Sequence, residues 1–226
     1  VWEYGTLLGA LAGVEGRDSF RAADIGSGNS TFPLYLAETG NAGSMVCLDL
    51  PEAHEHQSAE HQRREREGGV ERVAGSMLDL PFDDGSFDLV TCISAIEHLD
   101  ADRHVDSKPP YDEYLARTRQ GLAEMMRVLA PGGCIYVTTD AFIPELQRTD
   151  TWSSPRGKGP IFSAYRYEDI EATFIAAVEE GGGELVGPVD YRRELLEESE
   201  DRASYRGRYF TTFAVFARKP APLDAG

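Results

Sequence analysis

Apolar runs closed by Gly or Asp alternate with helix-period segments along most of the chain, and that alternation leaves few architectures open. A strand, a helix and a second strand in succession bring the second strand back parallel to the first. Repetition of the unit builds a mostly parallel sheet with helices on both faces. The apolar runs predict seven strands, at Phe20–Ile25, Ser44–Leu48, Gly69–Ala74, Phe87–Ser94, Cys134–Thr139, Glu184–Val189 and Arg208–Arg218. Helices are expected at Glu3–Leu11, Ser30–Glu38, Glu52–Glu67, Tyr111–Leu129 and Tyr167–Glu180. Ala130-Pro131-Gly132-Gly133 closes the fourth, because Gly past a helix end and a nearby Pro both stop it.

With 226 residues there is room for one α/β domain with a full core, and one domain spanning 1–226 is expected. No apolar run approaches the ~20 residues of a membrane helix. Val1–Val14 contains acidic Glu3 and lacks a basic opening, so no secretory signal is expected there. The formal charge of −17 repels nucleic acid and anionic membrane surfaces, whose binding relies on clustered Lys and Arg. Cys47, Cys92 and Cys134 each fall in an expected strand and form no CxxC pair. They read as buried reduced thiols, as in a cytoplasmic protein. His54, His56 and His61 sit among Glu, Gln and Arg residues without a Cys, and read as a solvated helix face rather than a metal site.

Two stretches break the alternation, Asp100–Pro110 and Ala141–Arg166. A long loop inside a compact domain is usually functional or disordered, and the second stretch, about 141–166, is read as a substrate lid.

The segment Asp24-Ile25-Gly26-Ser27-Gly28-Asn29-Ser30 lies directly after an apolar strand and before a helical run. Its glycines let the backbone turn sharply and approach a ligand, while the next helix offers unsatisfied N–H groups. About twenty residues on, Asp49 ends the second strand, where an acid accepts hydrogen bonds from ribose hydroxyls. A dinucleotide uses the same glycines and acid, so this pairing alone leaves the nucleoside cofactor open.

Three further segments stand in register behind it: Gly75-Ser76-Met77-Leu78-Asp79-Leu80-Pro81-Phe82-Asp83-Asp84-Gly85-Ser86-Phe87-Asp88, then Leu89-Val90-Thr91-Cys92-Ile93-Ser94, then Arg127-Val128-Leu129-Ala130-Pro131-Gly132-Gly133. From Phe20 to Thr139 the chain resembles the class I S-adenosylmethionine-dependent methyltransferases of the type 11-like group. The resemblance implies a Rossmann-like α/β fold, a seven-stranded mostly parallel sheet with an antiparallel last strand and helices on both faces. It implies a cofactor-binding half at about 20–139 and a C-terminal hairpin at about 184–218. The implied cofactor is S-adenosylmethionine, released as S-adenosylhomocysteine. Asp24, Gly26 and Gly28 would then cradle its methionine part with Ser27 beside them, Asp49 and Leu50 its ribose, and Ser76 and Met77 its adenine. Ser76 stands where the group often has Asp, and Asp79 is the substitute acceptor. Ser94 completes the expected cofactor set.

Methyl transfer is an in-line displacement, so alignment and exclusion of water come first and a base is optional. Ligands of an open α/β sheet lie beyond the carboxyl ends of the parallel strands. Glu97 and His98 follow strand four and Asp140 follows strand five. His98 is the preferred general base, since imidazole accepts a proton near neutrality, and Glu97 and Asp140 are the other catalytic candidates. Related enzymes that bind a divalent ion carry an acid three residues before this Glu-His pair. Here that position is Ser94, so no metal is expected. Trp152, Tyr165, Arg166, Arg206 and Arg208 are the expected substrate contacts, the arginines suiting a carboxylate or phosphate. The expected reaction is O- or N-methylation of a small molecule such as a sugar or natural-product intermediate, by a protein able to form a homodimer. The alternatives are an RNA-modifying methyltransferase and a catalytically inactive, cofactor-binding regulatory partner.

Overall fold

The computed structural model describes residues 20–39, 42–55, 57–99, 111–142, 165–166, 168–186, 203–205 and 208–221. Among the described residues nine strands form one sheet: β1 Arg21–Ile25, β2 Ser44–Asp49, β3 Val70–Ala74, β4 Phe87–Ile93, β5 Leu129–Phe142, β6 Tyr165–Arg166, β7 Glu184–Leu185, β8 Ala203–Tyr205 and β9 Arg208–Arg218. The order is β3-β2-β1-β4-β5-β9-β7, with β6 on β5 and β8 on β9. β1 to β6 pair in parallel, and β9 runs antiparallel to β5, β7 and β8. The expected α/β sheet with an antiparallel last strand is thus present, with two more strands than the sequence predicts. β6 and β8 are two and three residues long, too short to carry a periodicity.

Both faces of the sheet are covered, which is why its central strands read as near-continuous apolar runs. Toward one face point Ala23, Ile25, Val46, Leu48, Val90, Cys92, Ile135 and Val137. They meet helix α4 (Tyr111–Val128) through Leu122, Met125 and Met126, and the helical segment 171–180 through Phe174 and Val178. Toward the other point Ala22, Met45, Cys47, Leu89, Cys134 and Tyr136, against Phe32, Leu34 and Leu36 of α1 (Phe32–Glu38). The three cysteines are buried and in no disulfide, one on each of β2, β4 and β5.

The expected helix Glu52–Glu67 is divided into α2 (Pro51–Glu55) and α3 (Ala59–Gly68). Ser58 starts the second, its hydroxyl accepting the His61 N–H as an N-cap does. The helix expected at Tyr167–Glu180 is wound as π-helix over Glu171–Ile175 and as α-helix (α5) over Ala176–Glu180. β5 begins five residues earlier than expected. The Gly132 N–H donates to Lys219 O and the Lys219 N–H to Gly133 O, which draws the Pro-Gly-Gly turn into the ladder with a register shift opposite Phe87 and Leu89. The expected helix Glu3–Leu11 lies outside the described residues.

Both ends of the expected lid are fixed. Ala141 and Phe142 pair with Tyr165 and Arg166, and Tyr165 is 0 % exposed. Its ring stacks on Tyr114 at 5.0 Å. Its hydroxyl donates to the Ile96 carbonyl at 3.1 Å and lies 2.9 Å from Thr118 Oγ1. Tyr165→Phe keeps the stack and removes one of two hydrogen bonds on the Ile96 carbonyl, which still accepts the Leu99 N–H, so urea unfolding should show a loss of about 0.5–1.5 kcal/mol. Tyr165→Ala also opens a cavity and should cost about 3–5 kcal/mol.

Candidate active site

The chain leaves β1 at Ile25 and turns over the carboxyl ends of β1 and β2. The Gly26 and Ser27 N–H groups donate to Leu48 O at 2.8 and 3.3 Å, so the turn is tied to β2 at once. Gly26 has φ +72°, and a Cβ there would lie 2.5 Å from the Ala95 Cβ. Gly28 has φ +50° with nothing within 4 Å of a Cβ, which leaves open space above its backbone. Both positions need glycine for conformation, and the first also for close approach.

Asp49 ends β2 beside this turn. Its Oδ2 accepts the Gly28 N–H at 2.7 Å and its Oδ1 the Leu50 N–H at 2.8 Å. An ionised carboxylate offers about four lone-pair positions, so two remain for ligand hydroxyls. The Gly28 carbonyl is held from below by Gln57 Nε2 at 2.9 Å and Arg72 Nη2 at 3.2 Å. Arg72 is itself fixed by Glu65, Nε to Oε2 at 2.6 Å, and His61 Nε2 stands 3.2 Å from the same carboxylate. Glu65 is 3 % exposed, and burial opposes its ionisation. The Arg72 pair outweighs that cost and leaves its carboxyl titrating below the usual value.

Asp24 lies beneath the turn, 1 % exposed, accepting from Thr91 Oγ1 at 2.6 Å. Burial pushes its pKa up to about 7, against the Thr91 bond and with added repulsion from Asp49.

Above these groups opens a cavity of about 570 Å³, within the ~300–1,000 Å³ usual for small-molecule sites. Of the expected cofactor residues, Gly26, Gly28, Asp49, Leu50, Ser76, Met77 and Ser94 line it. Ser94 has φ +47°, a left-handed conformation that costs a non-glycine residue of order 1–3 kcal/mol and clusters at functional sites. Its N–H donates to the backbone and side-chain oxygens of Thr138 at 3.1 and 3.0 Å. His98 lines the same cavity with an exposed side chain, next to Leu99.

Other expected residues are placed elsewhere. Asp24 and Ser27 support the turn from within the core. The Asp79 side chain is exposed, off the described lining. Glu97 is 2 % exposed, because the turn Ile96–His98 points it inward, where Thr139 Oγ1 donates to its carboxylate at 3.1 Å. Asp140 is half-buried within β5, opposite Thr212. Tyr165 is in the core. Arg166 is exposed, its guanidinium 4.6 Å from the centre of the Tyr111 ring. Trp152 and Arg206 lie outside the described residues, as do the Arg208 side chain and the acidic cluster Asp100 to Asp106. Gln57, Arg72 and Arg117 went unnoticed in the sequence, Arg117 being a lining residue. The one available signal was a cation, Arg72, in the middle of a strand.

A glycine turn, a strand-end acid and a cavity bridging them form a cradle for an adenosyl group. A sequence model described as a methyltransferase domain matches residues 23–137, half of the chain. The chain belongs to the methyltransferase-domain family. S-adenosylmethionine is accordingly its cofactor, and the free carboxylate positions on Asp49 and the open space above Gly28 suit that ligand. The domain is 32 % identical over 139 residues to a demethylmenaquinone methyltransferase from Clavibacter sepedonicus, covering 61 % of this chain and 46 % of that protein. It is 34 % identical over 143 residues to a fatty-acid O-methyltransferase from Mycolicibacterium smegmatis, covering 62 % and 44 %. The chain therefore spans less than half the length of these relatives. Among solved structures, a SAM-dependent methyltransferase from Aquifex aeolicus superposes with a TM-score of 0.56 at 17 % identity, covering 96 % of this chain and 89 % of that one. The cyclase SpnF superposes with a TM-score of 0.61 at 17 % identity, covering 97 % and 81 %.

Two outcomes follow from the groups beneath the methyltransferase domain's turn. With its folded pKa above the ordinary 3.8, Asp24 contributes stability below that value that is lost as pH rises to about 7. Asp24→Asn keeps an acceptor for Thr91 and should remove this loss, so urea unfolding should show the variant gaining on the wild type between pH 4 and 7 and level above. Arg72→Ala leaves Glu65 buried without its partner and should cost about 3–5 kcal/mol by the same measurement.

Proposed function

We propose that this protein moves the methyl group of S-adenosylmethionine onto an oxygen or nitrogen of a small lipophilic molecule. The observation that carries the reading is that Asp49, the glycine turn and His98 open onto one cavity. The cavity's apolar walls, Leu48, Leu50, Leu78, Ala95 and Leu99, favour a lipophilic acceptor, and the named relatives act in their own right on demethylmenaquinone and a fatty acid. The net charge of −17 speaks against RNA.

The bound cofactor supplies an electrophilic methyl group on a sulfonium centre. Asp49 accepts hydrogen bonds from the ribose hydroxyls with the carboxylate positions that Gly28 and Leu50 leave free. The walls around Ser94 and Leu99 exclude water from the line between acceptor and methyl group. His98 takes the proton of a hydroxyl acceptor; a carboxylate or a neutral amine needs no base at that point. Glu97 acts from behind, holding the turn that presents His98 to the cavity.

Incubation with methyl-labelled S-adenosylmethionine and three acceptor classes, fatty acids, quinols and lipophilic amines, tests the reading. Label should pass into organic-extractable product for one class. Asp49→Ala should weaken cofactor binding at least about tenfold, as expected for losing charge-assisted hydrogen bonds. With a hydroxyl acceptor, His98→Ala should lower kcat by ~10²–10⁴-fold and leave S-adenosylhomocysteine affinity unchanged. Tight cofactor binding without transfer to any class would replace this reading with that of a cofactor-binding regulatory partner.

A further inference from the structure

The order of the sheet decides which way a nucleoside lies in this cavity. β2, which carries Asp49, stands between β1 and β3. A sugar held at Asp49 therefore has the glycine turn and Ser94 on one side and Gly75–Leu78, the segment after β3, on the other. The reacting end of the cofactor belongs on the His98 side, beyond β1 and β4. The base is left against Gly75–Leu78.

At that end of the cavity three acceptors already receive a hydrogen bond from the protein. The Ser76 carbonyl takes the Asp79 N–H at 3.1 Å, and the Ser76 hydroxyl takes the Leu78 N–H at 3.2 Å. The Leu78 carbonyl takes Gln120 Nε2 at 2.9 Å. Helix α4 brings a donor to the same place. Gly121 faces this segment, and a Cβ there would make ordinary van der Waals contact with Met77 O at 3.6 Å. Arg117 precedes Gln120 by three residues and Gly121 by four, so it shares their face of the helix. Arg117 lines the cavity, the only Lys or Arg among the described lining residues. Guanidinium carries five N–H donors and no acceptor. A purine offers ring nitrogens with free lone pairs on its edges, which is the complementary chemistry.

We propose that Arg117 binds the base of the cofactor by donating a hydrogen bond to a purine ring nitrogen. The inference rests on the cofactor reading above and assigns a recognition role to a helix outside the glycine turn and the strand-end acid. Base recognition here is donor-led: the protein reads the lone pairs of the ring, where a carboxylate would read the exocyclic amino group.

Calorimetric titration with S-adenosylhomocysteine and with its three analogues carrying carbon in place of N1, N3 or N7 tests this. One analogue should bind the wild type about tenfold or more weakly than the parent, the loss expected for a hydrogen bond to a charged group. In Arg117→Ala the parent should weaken by about the same factor, and the difference between parent and that analogue should vanish, as a thermodynamic cycle requires of a direct contact. Arg117→Gln, which keeps one donor, should retain part of the difference. Equal binding of all three analogues to the wild type overturns the proposal without any variant, as does a penalty that survives unchanged in both variants. Failure of S-adenosylhomocysteine itself to bind the wild type overturns the cofactor reading along with it.

Discussion

The ligand end of this molecule depends on one glycine being held through both of its backbone polar groups. The Gly28 N–H is bound to Asp49 and the Gly28 carbonyl to Gln57 and Arg72. A left-handed glycine without such partners would sample many conformations, and the Asp49 carboxylate would have no fixed neighbour. Because the three side chains come from β2, the α2–α3 junction and β3, the turn inherits its position from the sheet rather than from its own sequence. The cost is a buried carboxylate at Glu65, needed to anchor Arg72. Interactions of this kind are weak evidence for stability and are tolerated where they fix a geometry.

The same arrangement explains how much was legible in the sequence. β1 to β4 were read to within a residue at each end; for the central strands β1, β2 and β4 this is because burial on both faces writes a near-continuous apolar run, and for the edge strand β3 because Gly69 and Gly75 bound it. The glycine turn and Asp49 were legible for a related reason, since a sharp turn and a strand-end acid are local features of adjacent residues. The contacts made by Arg72 and Arg117 depend on elements that meet only after folding. Arg72 bonds across 44 residues to Gly28, and no window of sequence contains both partners. β6 and β8 went unseen because so few residues cannot display an alternation. The break before Ser58 was missed since the residues on either side are equally polar.

Glu97 and His98 show a finer limit. The two residues are adjacent, both ionisable, and both were candidates for the chemistry. The tight turn Ile96–His98 sends the first into the core toward Thr139 and leaves the second in the cavity mouth. Which of two neighbours faces a ligand depends on the backbone conformation of a three-residue turn, and composition says nothing about that. The positive φ of Ser94 just before it belongs to the same class of fact.

The buried cysteines carry one last consequence. Cys47, Cys92 and Cys134 lie on β2, β4 and β5, so three strands of the sheet each hold one thiol. Burial raises the Cys47 and Cys92 pKa values well above that of a free thiol, which suppresses the thiolate that alkylating reagents attack. A modified thiol therefore records an opening of the strand that holds it. The molecule contains its own site-resolved gauge of local unfolding, in which the rate of alkylation at each cysteine reports the free energy of exposing that part of the sheet.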